Sequence, residues 1–308
     1  MATYNGEKYL KEQLDSIKNQ TYTNFELIIQ DDCSSDKTVE ILQNYDDIDI
    51  KLYQNEKNLG YIKNFESLLK KSSGDYIAIC DQDDIWEGDK LEILINTIDK
   101  NTLIYSDSLL VDENGNSLNK TLSQKLKNNF INSNSALNFL YDNSVSAHAM
   151  LFKKELLNYI FPFPKTIYFD AWIAANGANL GLVKYVDKTL IRYRQHTTNT
   201  LGNVQKKDTK LTNKIQNKVQ KKEQEVENTL EKIKEMINLK SIKKEDLEIL
   251  LKLQTYYEGF DKRYFSFEMF SFLNKYKNKL FSITTKNRFS LCLKKSIGKK
   301  LYRVVPFL

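Results

Sequence analysis

The sequence predicts an α/β fold, a mainly parallel sheet flanked by helices, with a helical extension at its carboxyl end. Three observations predict it. Short apolar runs at residues 25–30, 50–54 and 76–79 alternate with stretches of helical apolar spacing at 7–20, 38–45 and 61–71, the signature of strand–helix–strand units. Two of those runs stop abruptly in acid, at Asp31-Asp32 and at Asp81-Gln82-Asp83-Asp84, and open α/β sheets bind ligands at the carboxyl ends of their strands. Beyond residue 204 the apolar residues Leu211, Ile215, Val219, Val226, Leu230, Ile233 and Ile237 fall three, four or seven apart among Lys and Glu, a long amphipathic helix.

The run YIAIC before Asp81 is continuous rather than alternating, so it reads as a strand covered on both faces. Residues 87–99 follow as a helix and 103–106 as a strand ending at Asp107, and Asn114-Gly115 marks a hairpin turn. Residues 119–138 are polar and Asn-rich and read as a surface excursion. A strand resumes at 147–152, the FPFP stretch at 161–164 reads as a rigid loop, and short strands are expected at 183–187 and 189–193. Residues 247–253 continue as a second helix of the extension, followed by many Tyr and Phe residues and then a run of Lys and Arg.

At 308 residues, with 41% hydrophobic and 28% charged content, the chain has ample material for a core and reads as globular. Its net charge of +6 hides an asymmetry: residues 1–204 carry 21 basic against 28 acidic side chains, and residues 205–308 carry 25 against 12. The split suggests two parts, an enzyme-like 1–204 and a basic, aromatic-rich helical 205–308 drawn to something anionic. Cys33, Cys80 and Cys292 are too few and too scattered for a disulfide framework or a zinc site, which fits a cytoplasmic setting. No run reaches the roughly 18 residues of a membrane span, and no basic, apolar leader opens the chain. Bases among aromatics could stack nucleic acid, but no recognition motif accompanies them, so no nucleic-acid partner is expected.

Crowded carboxylates repel one another unless a cation holds them. Asp81 and Asp83 share one side of an extended segment, a spacing suited to a divalent metal completed by a substrate phosphate; the same residues also read as a solvated acidic turn. Asp170 opens an alanine-rich helical stretch and reads equally as its N-cap. Arg192 and Arg194 share a face, with His196 just beyond. His148 reads as a hydrogen-bonded core residue, Trp172 as core or as a stacking platform, Trp86 as packing, and Cys33 and Cys80 as small buried residues.

With MATYNGEKYL, QTYTNFELIIQDDCSSDKT, CDQDDIW followed by Lys90-Leu91, FDAWIA and YRQH in that order, the sequence resembles the family 2 glycosyltransferases over residues 1–202. It is most similar to the bacterial branch that includes rhamnosyltransferases of surface-polysaccharide synthesis. The resemblance implies a GT-A fold, a nucleotide-sugar donor, a glycan or lipid-linked acceptor, Mg²⁺ or Mn²⁺ as cofactor and inversion at the anomeric carbon. It assigns Thr3, Tyr4 and one of Asp31 and Asp32 to the nucleotide, Asp81 to the ribose and Asp83 with His196 to the metal. Asp170 becomes the general base, Arg194 closes with His196 over the diphosphate, and His148 and Trp172 fall on the acceptor side. A lipid-linked acceptor would make peripheral contact of residues 205–308 with the inner face of the cytoplasmic membrane useful, where each nearby base adds ~1 kcal/mol.

Three departures from the family pattern qualify this expectation. Relatives carry an apolar strand before the equivalent of Ala2, so the natural start is expected upstream, or the protein lacks a central strand. Ser146-Ala147-His148 stands where many relatives have glycine, and Phe169 stands where many have a polar neighbour of the base. The competing expectations are an inactive nucleotide-sugar-binding scaffold and a sugar nucleotidylyltransferase; the glycine-rich phosphate loop of the latter is reduced here to Gly6.

Overall fold

Strands β1 (Ala2–Thr3), β2 (Leu27–Asp31) and β3 (Ile50–Gln54) form a parallel sheet in the order β1-β2-β3 in the computed structural model, which describes residues 1–127, 130–197, 214–281 and 285–304. Every residue of β2 is buried, as its unbroken apolar run requires. The register sets Thr3 beside Asp31 and Asp31 beside Gln54, so all three strands end at one edge. Helix α1 (Leu10–Lys18) joins β1 to β2 and buries Leu10, Leu14 and Ile17 on one face, while α2 (Thr38–Gln43) joins β2 to β3.

A second, mixed sheet follows helix α3 (Tyr61–Leu69). Its strands are β4 (Tyr76–Ala78), β5 (Ile85–Trp86), β6 (Leu103–Val111), β7 (Ser117–Thr121), β8 (Met150–Lys153) and β9 (Val183–Arg194), in the order β4-β8-β6-β9-β5 with β7 paired to β6. Helices α4 (Lys90–Ile98), α5 (Leu122–Leu126), α6 (Leu157–Ile160) and α7 (Phe169–Leu180) complete this half. The alternation of strand and helix thus holds through α3, and the α/β class is as expected, with parallel pairing of β1 with β2, β2 with β3 and β6 with β9. β4 pairs antiparallel with β8, and no ladder joins the two sheets among the described residues. A cleft of about 530 Å³ lies between β2 and β4, its apolar lining given by Leu27, Ile28, Phe65, Leu69, Ile77 and Ile79.

Two further expectations change. The two short strands at 183–187 and 189–193 are one strand, β9, whose register against β6 shifts around Asp107. The excursion at 119–138 is not all surface: Ala136 and Leu137 are buried, as is Phe139 just beyond it, and Ser135 caps their turn through its hydroxyl and also donates to Asp246 at 2.8 Å. The Asn-rich composition masked this apolar triplet. Residues 128–129 lie outside the described residues.

Helices α8 (Lys214–Ile237), α9 (Lys244–Glu258), α10 (Phe267–Leu280), α11 (Thr285–Ser296) and α12 (Lys299–Val304) form the extension. Leu211, expected to begin the first of them, lies outside the described residues. Ile233, Met236, Leu250 and Leu253 enter the same apolar core as Phe139, Trp172 and Ile173. A hydrogen bond between the Tyr141 and Tyr257 hydroxyls, 3.0 Å, marks the seam. No described helix is long and apolar enough to cross a membrane. Truncating a buried leucine in such a core costs ~2–5 kcal/mol, so Leu137→Ala is expected to lower stability by that amount in urea unfolding, a loss that a surface residue would not give.

Candidate active site

The loop after β1 is held from three sides. Gln82 spans from the second sheet, accepting from the Tyr4 amide at 2.9 Å and donating to the Tyr4 carbonyl at 3.0 Å. Asn5, in the left-handed region at φ 47°, donates its amide to Ser34, and the Gly6 amide donates to Thr38 Oγ1 at 2.7 Å. Gly6 is required by close approach: a Cβ there would lie 2.4 Å from Gln82 Oε1. The loop therefore presents the Tyr4 side chain, half exposed, at the carboxyl edge of β1 and β2.

The two acids after β2 are buried and engaged with protein. Asp31 accepts from the Thr3 hydroxyl, the Ser34 amide and the Ser34 hydroxyl at 2.9, 2.9 and 2.6 Å. Asp32 accepts from Asn55 Nδ2 and from the Leu59 and Gly60 amides, each at 2.8 Å. Both carboxylates act on their neighbouring loops, Asp31 fixing 3–34 contacts and Asp32 fixing the turn at 58–60. Cys33, expected buried, is exposed and takes φ 64° at the sharp bend between these acids and Ser34.

Residues 82–83 bend rather than extend, so strand geometry does not set the sides of Asp81 and Asp83. Asp83 Oδ2 meets His196 Nε2 at 2.8 Å, and the His196 ring lies 5.1 Å from that of Tyr9. Asp81 neighbours a different histidine: its Oδ2 is 3.8 Å from His148 Nδ1, and Asp84 Oδ2 is 4.0 Å from the same nitrogen. Asp81, Asp84 and His148 together could hold a metal ion. His148 is buried, stacked on Tyr193 at 4.7 Å, with Nε2 2.8 Å from the Ser108 hydroxyl. It packs against the acid loop.

Electrostatics follow from this crowding. Desolvation, then the Asp83 charge, pushes Asp81 up to about 7, and the same two causes hold Asp84 well above the usual carboxylate range. Asp84 is fully buried, and its Oδ2 has no hydrogen-bond partner among the described residues. Burial pushes His148 down to about 3, keeping the imidazole neutral. Beneath the loop lies Lys90, fully buried, its ammonium 3.5 Å from the Trp86 ring centre and donating to the His148 carbonyl at 2.8 Å. Desolvation brings it down to about 7, opposed by the charges of Cys80, Asp84 and Asp81. Cation and anions are thus built against each other in one place.

Arg194 is the strut of the site. Its side chain is 1% exposed; Nε donates to the Asp83 carbonyl at 3.0 Å, Nη1 to the Glu113 carbonyl at 2.8 Å, and Nη2 pairs with the Glu12 carboxylate. The guanidinium also stacks 4.7 Å over Tyr9. Through these contacts it holds the acid loop against α1 and the β6–β7 turn. Arg192 points elsewhere, to Glu87 at 2.8 Å.

Asp170 is the second residue of α7 and not its cap, which is Tyr168. Its Oδ1 accepts from the Ala171 amide at 2.6 Å. Burial raises it to about 6, moderated by that amide and by a hydrogen bond from Asn143. Asn143 is the polar neighbour that Phe169 denies it; Phe169 instead stacks on Phe65 at 4.9 Å. Trp172 is core, 7% exposed, donating Nε1–H to the Ile160 carbonyl at 2.9 Å, and offers no platform. The sequence reading missed Lys90, Asp84 and Asn143. Lys90 had a signal, since it falls on the apolar face of α4 with Leu94 and Ile98, whereas Asn143 joins Asp170 only through the fold. Leaving a buried acceptor without its donor costs ~1–3 kcal/mol, and Arg194→Met strips the Asp83 and Glu113 carbonyls of theirs, so it is expected to lower the urea midpoint by an equivalent of that order.

The family model for glycosyl transferase family 2 matches residues 1–161. An uncharacterized glycosyltransferase of Methanocaldococcus jannaschii is 32% identical over 219 residues, which are 67% of this chain and 73% of that protein. The UDP-Glc:alpha-D-GlcNAc-diphosphoundecaprenol beta-1,3-glucosyltransferase WfgD of Escherichia coli is 31% identical over 177 residues, 56% of this chain and 67% of WfgD. In fold, the chain is similar to the crystal structure of S. aureus TarS 1-349 in complex with UDP-GlcNAc, with a TM-score of 0.58 at 19% identity, covering 99% of this chain and 88% of that one. The matched family model, the glycosyltransferase relatives and the shared GT-A fold make this chain a glycosyltransferase that belongs to glycosyl transferase family 2.

Proposed function

We propose that the chain moves a sugar, rhamnose or a hexose, from a UDP- or dTDP-activated donor to a lipid-linked or polysaccharide acceptor, with inversion and with Asp170 as general base. The observation that carries this reading is the pairing of Asp83 with His196 at 2.8 Å in the acid loop that also carries Asp81 and Asp84. Support for the substrates comes from WfgD, named for a UDP-sugar and a diphosphoundecaprenol acceptor, and from TarS, crystallised with UDP-GlcNAc.

The donor set fits Mg²⁺ or Mn²⁺. Carboxylates are the preferred ligands of such hard cations, and the buried Asp84 Oδ2 without a hydrogen-bond partner marks a loop short of positive charge. The resemblance gives the ion to Asp83 and His196, and the neighbouring set Asp81, Asp84 and His148 offers ligand atoms within 4.8 Å of one another; held by either, its charge would stabilise the nucleoside diphosphate as it departs. The chain's own groups do the rest. Tyr4 and Thr3 border the nucleotide edge, Asp31 and Asp32 keep that edge in shape, and Arg194 fixes the loop that carries Asp83. Asp170, ionised above its shifted pKa, takes the proton of the acceptor hydroxyl as that oxygen attacks the face opposite the diphosphate. One carboxylate suffices, and the anomeric centre inverts. A lipid-linked acceptor would set this chemistry at the inner face of the cytoplasmic membrane, with residues 205–308 in contact with it.

Calorimetric titration of UDP and dTDP is expected to give affinity that depends on Mn²⁺ and is lost in Asp83→Asn; equal binding with and without metal overturns the metal assignment. Asp170→Asn is expected to leave donor binding intact while transfer falls ~10²–10⁴-fold, the usual contribution of a positioned base. Because a base must be ionised, transfer should fall as pH drops through about 6. Removing the Asn143 hydrogen bond favours the protonated acid, so in Asn143→Ala this acid limb moves to higher pH.

A further inference from the structure

The extension carries an exposed aromatic surface that the transfer site does not use. Phe267 is 81% exposed, Tyr264 56% and Phe289 52%. They are linked by half-buried rings: Phe265 lies 4.9 Å from Phe267 and 6.4 Å from Phe270, and Phe270 lies 5.5 Å from Phe289. Leu293, one turn beyond Phe289 on α11, is also exposed. A contiguous apolar patch of this kind is not explained by folding, since its burial would have stabilised the fold, and such patches mark contact surfaces.

The backbone beneath the patch is braced. The segment before α10 bridges to the end of α11, Phe265 opposite Ile297, with the Ser266 amide donating to the Ser296 carbonyl at 2.9 Å and the Gly298 amide to the Tyr264 carbonyl at 2.8 Å. Gly298 permits this approach, since a Cβ there would meet the Arg263 carbonyl oxygen at 2.2 Å. The aromatic rings are thus displayed on a braced frame.

Charge decides the partner. The acids near the patch are paired within the chain, Glu268 with Lys252 at 2.9 Å and Asp261 with Lys299 at 3.2 Å. Lys262, Lys275, Lys294 and Lys300 are exposed and form no ion pair among the described residues, and Lys300 sits 5.6 Å over the Tyr264 ring. Amphipathic rings framed by lysines suit a boundary where one side is apolar and the next layer anionic. We propose that the surface formed by Tyr264, Phe267, Phe289 and Leu293, with Lys294 and Lys300, seats the protein on an anionic lipid bilayer. This deepens the membrane contact of the proposed function and rests on that reading for its purpose, but it uses none of the residues assigned to transfer.

The test is co-sedimentation of the full chain with vesicles of phosphatidylcholine alone or mixed with phosphatidylglycerol, at low and high salt. Binding is expected only to the mixed vesicles and to weaken as salt screens the lysines. The Phe267→Ser/Phe289→Ser variant and the Lys294→Glu/Lys300→Glu variant should each lose roughly tenfold or more of that binding while their unfolding midpoints and nucleotide affinity stay at the parent value. No binding, equal binding to both vesicle types, or unchanged binding in both variants overturns the proposal. So does a concentration-dependent dimer in analytical ultracentrifugation that Phe267→Ser/Phe289→Ser abolishes, because a second copy then covers the patch. Vesicle binding lost with metal-dependent nucleotide binding retained removes the patch alone; the reverse outcome removes the transfer reading alone.

Discussion

The site depends on one buried guanidinium. Arg194 stands at the end of β9 and reaches the Asp83 carbonyl, the Glu113 carbonyl and the Glu12 carboxylate, while its own amide donates to Asp84 at 3.3 Å. Four segments remote in sequence, α1, the acid loop, the β6–β7 turn and β9, are therefore set against one another by one side chain. The planar fork of an arginine can serve several acceptors at fixed angles, which a lysine ammonium cannot. Once that strut is in place, the orientations of Asp83 and His196 follow, since both lie within a few residues of groups it holds.

Around the strut the chain accumulates unfavourable electrostatics. Asp81 and Asp84 are both held above their ordinary ionisation range by desolvation and by Asp83, and the nearest buried cation, Lys90, is itself weakened to about 7 by lack of water. Functional sites are where such perturbed groups collect. A loop of this kind is stabilised when positive charge arrives, so the same repulsion that costs stability in the protein alone favours a cation and a bound diphosphate together.

Much of this was legible in the sequence. The short apolar runs located β2, β3 and β4, and the acids that end them do lie at one edge, because strand ends and loop chemistry are local properties. Asp83 and His196 were paired by family resemblance, and the structure brings them together. What was not legible needed three dimensions. The extended-chain argument that put Asp81 and Asp83 on one side failed at the bend of 82–83. Trp172, two residues after the acid, falls on the inward side of α7. The pairing of β4 with β8, across more than 70 residues, leaves no trace in either strand's composition, and an Asn-rich stretch concealed the buried Ala136, Leu137 and Phe139.

Gln82 has a mechanical consequence. It stands beside Asp83 in the acid loop and grips both the amide and the carbonyl of Tyr4, at 2.9 and 3.0 Å, while Gln13 donates to Cys80 and the Trp86 amide donates to the Ser16 hydroxyl nearby. A shift of the loop after β1 is therefore passed on to the acid loop, so the two edges respond together to whatever presses on either.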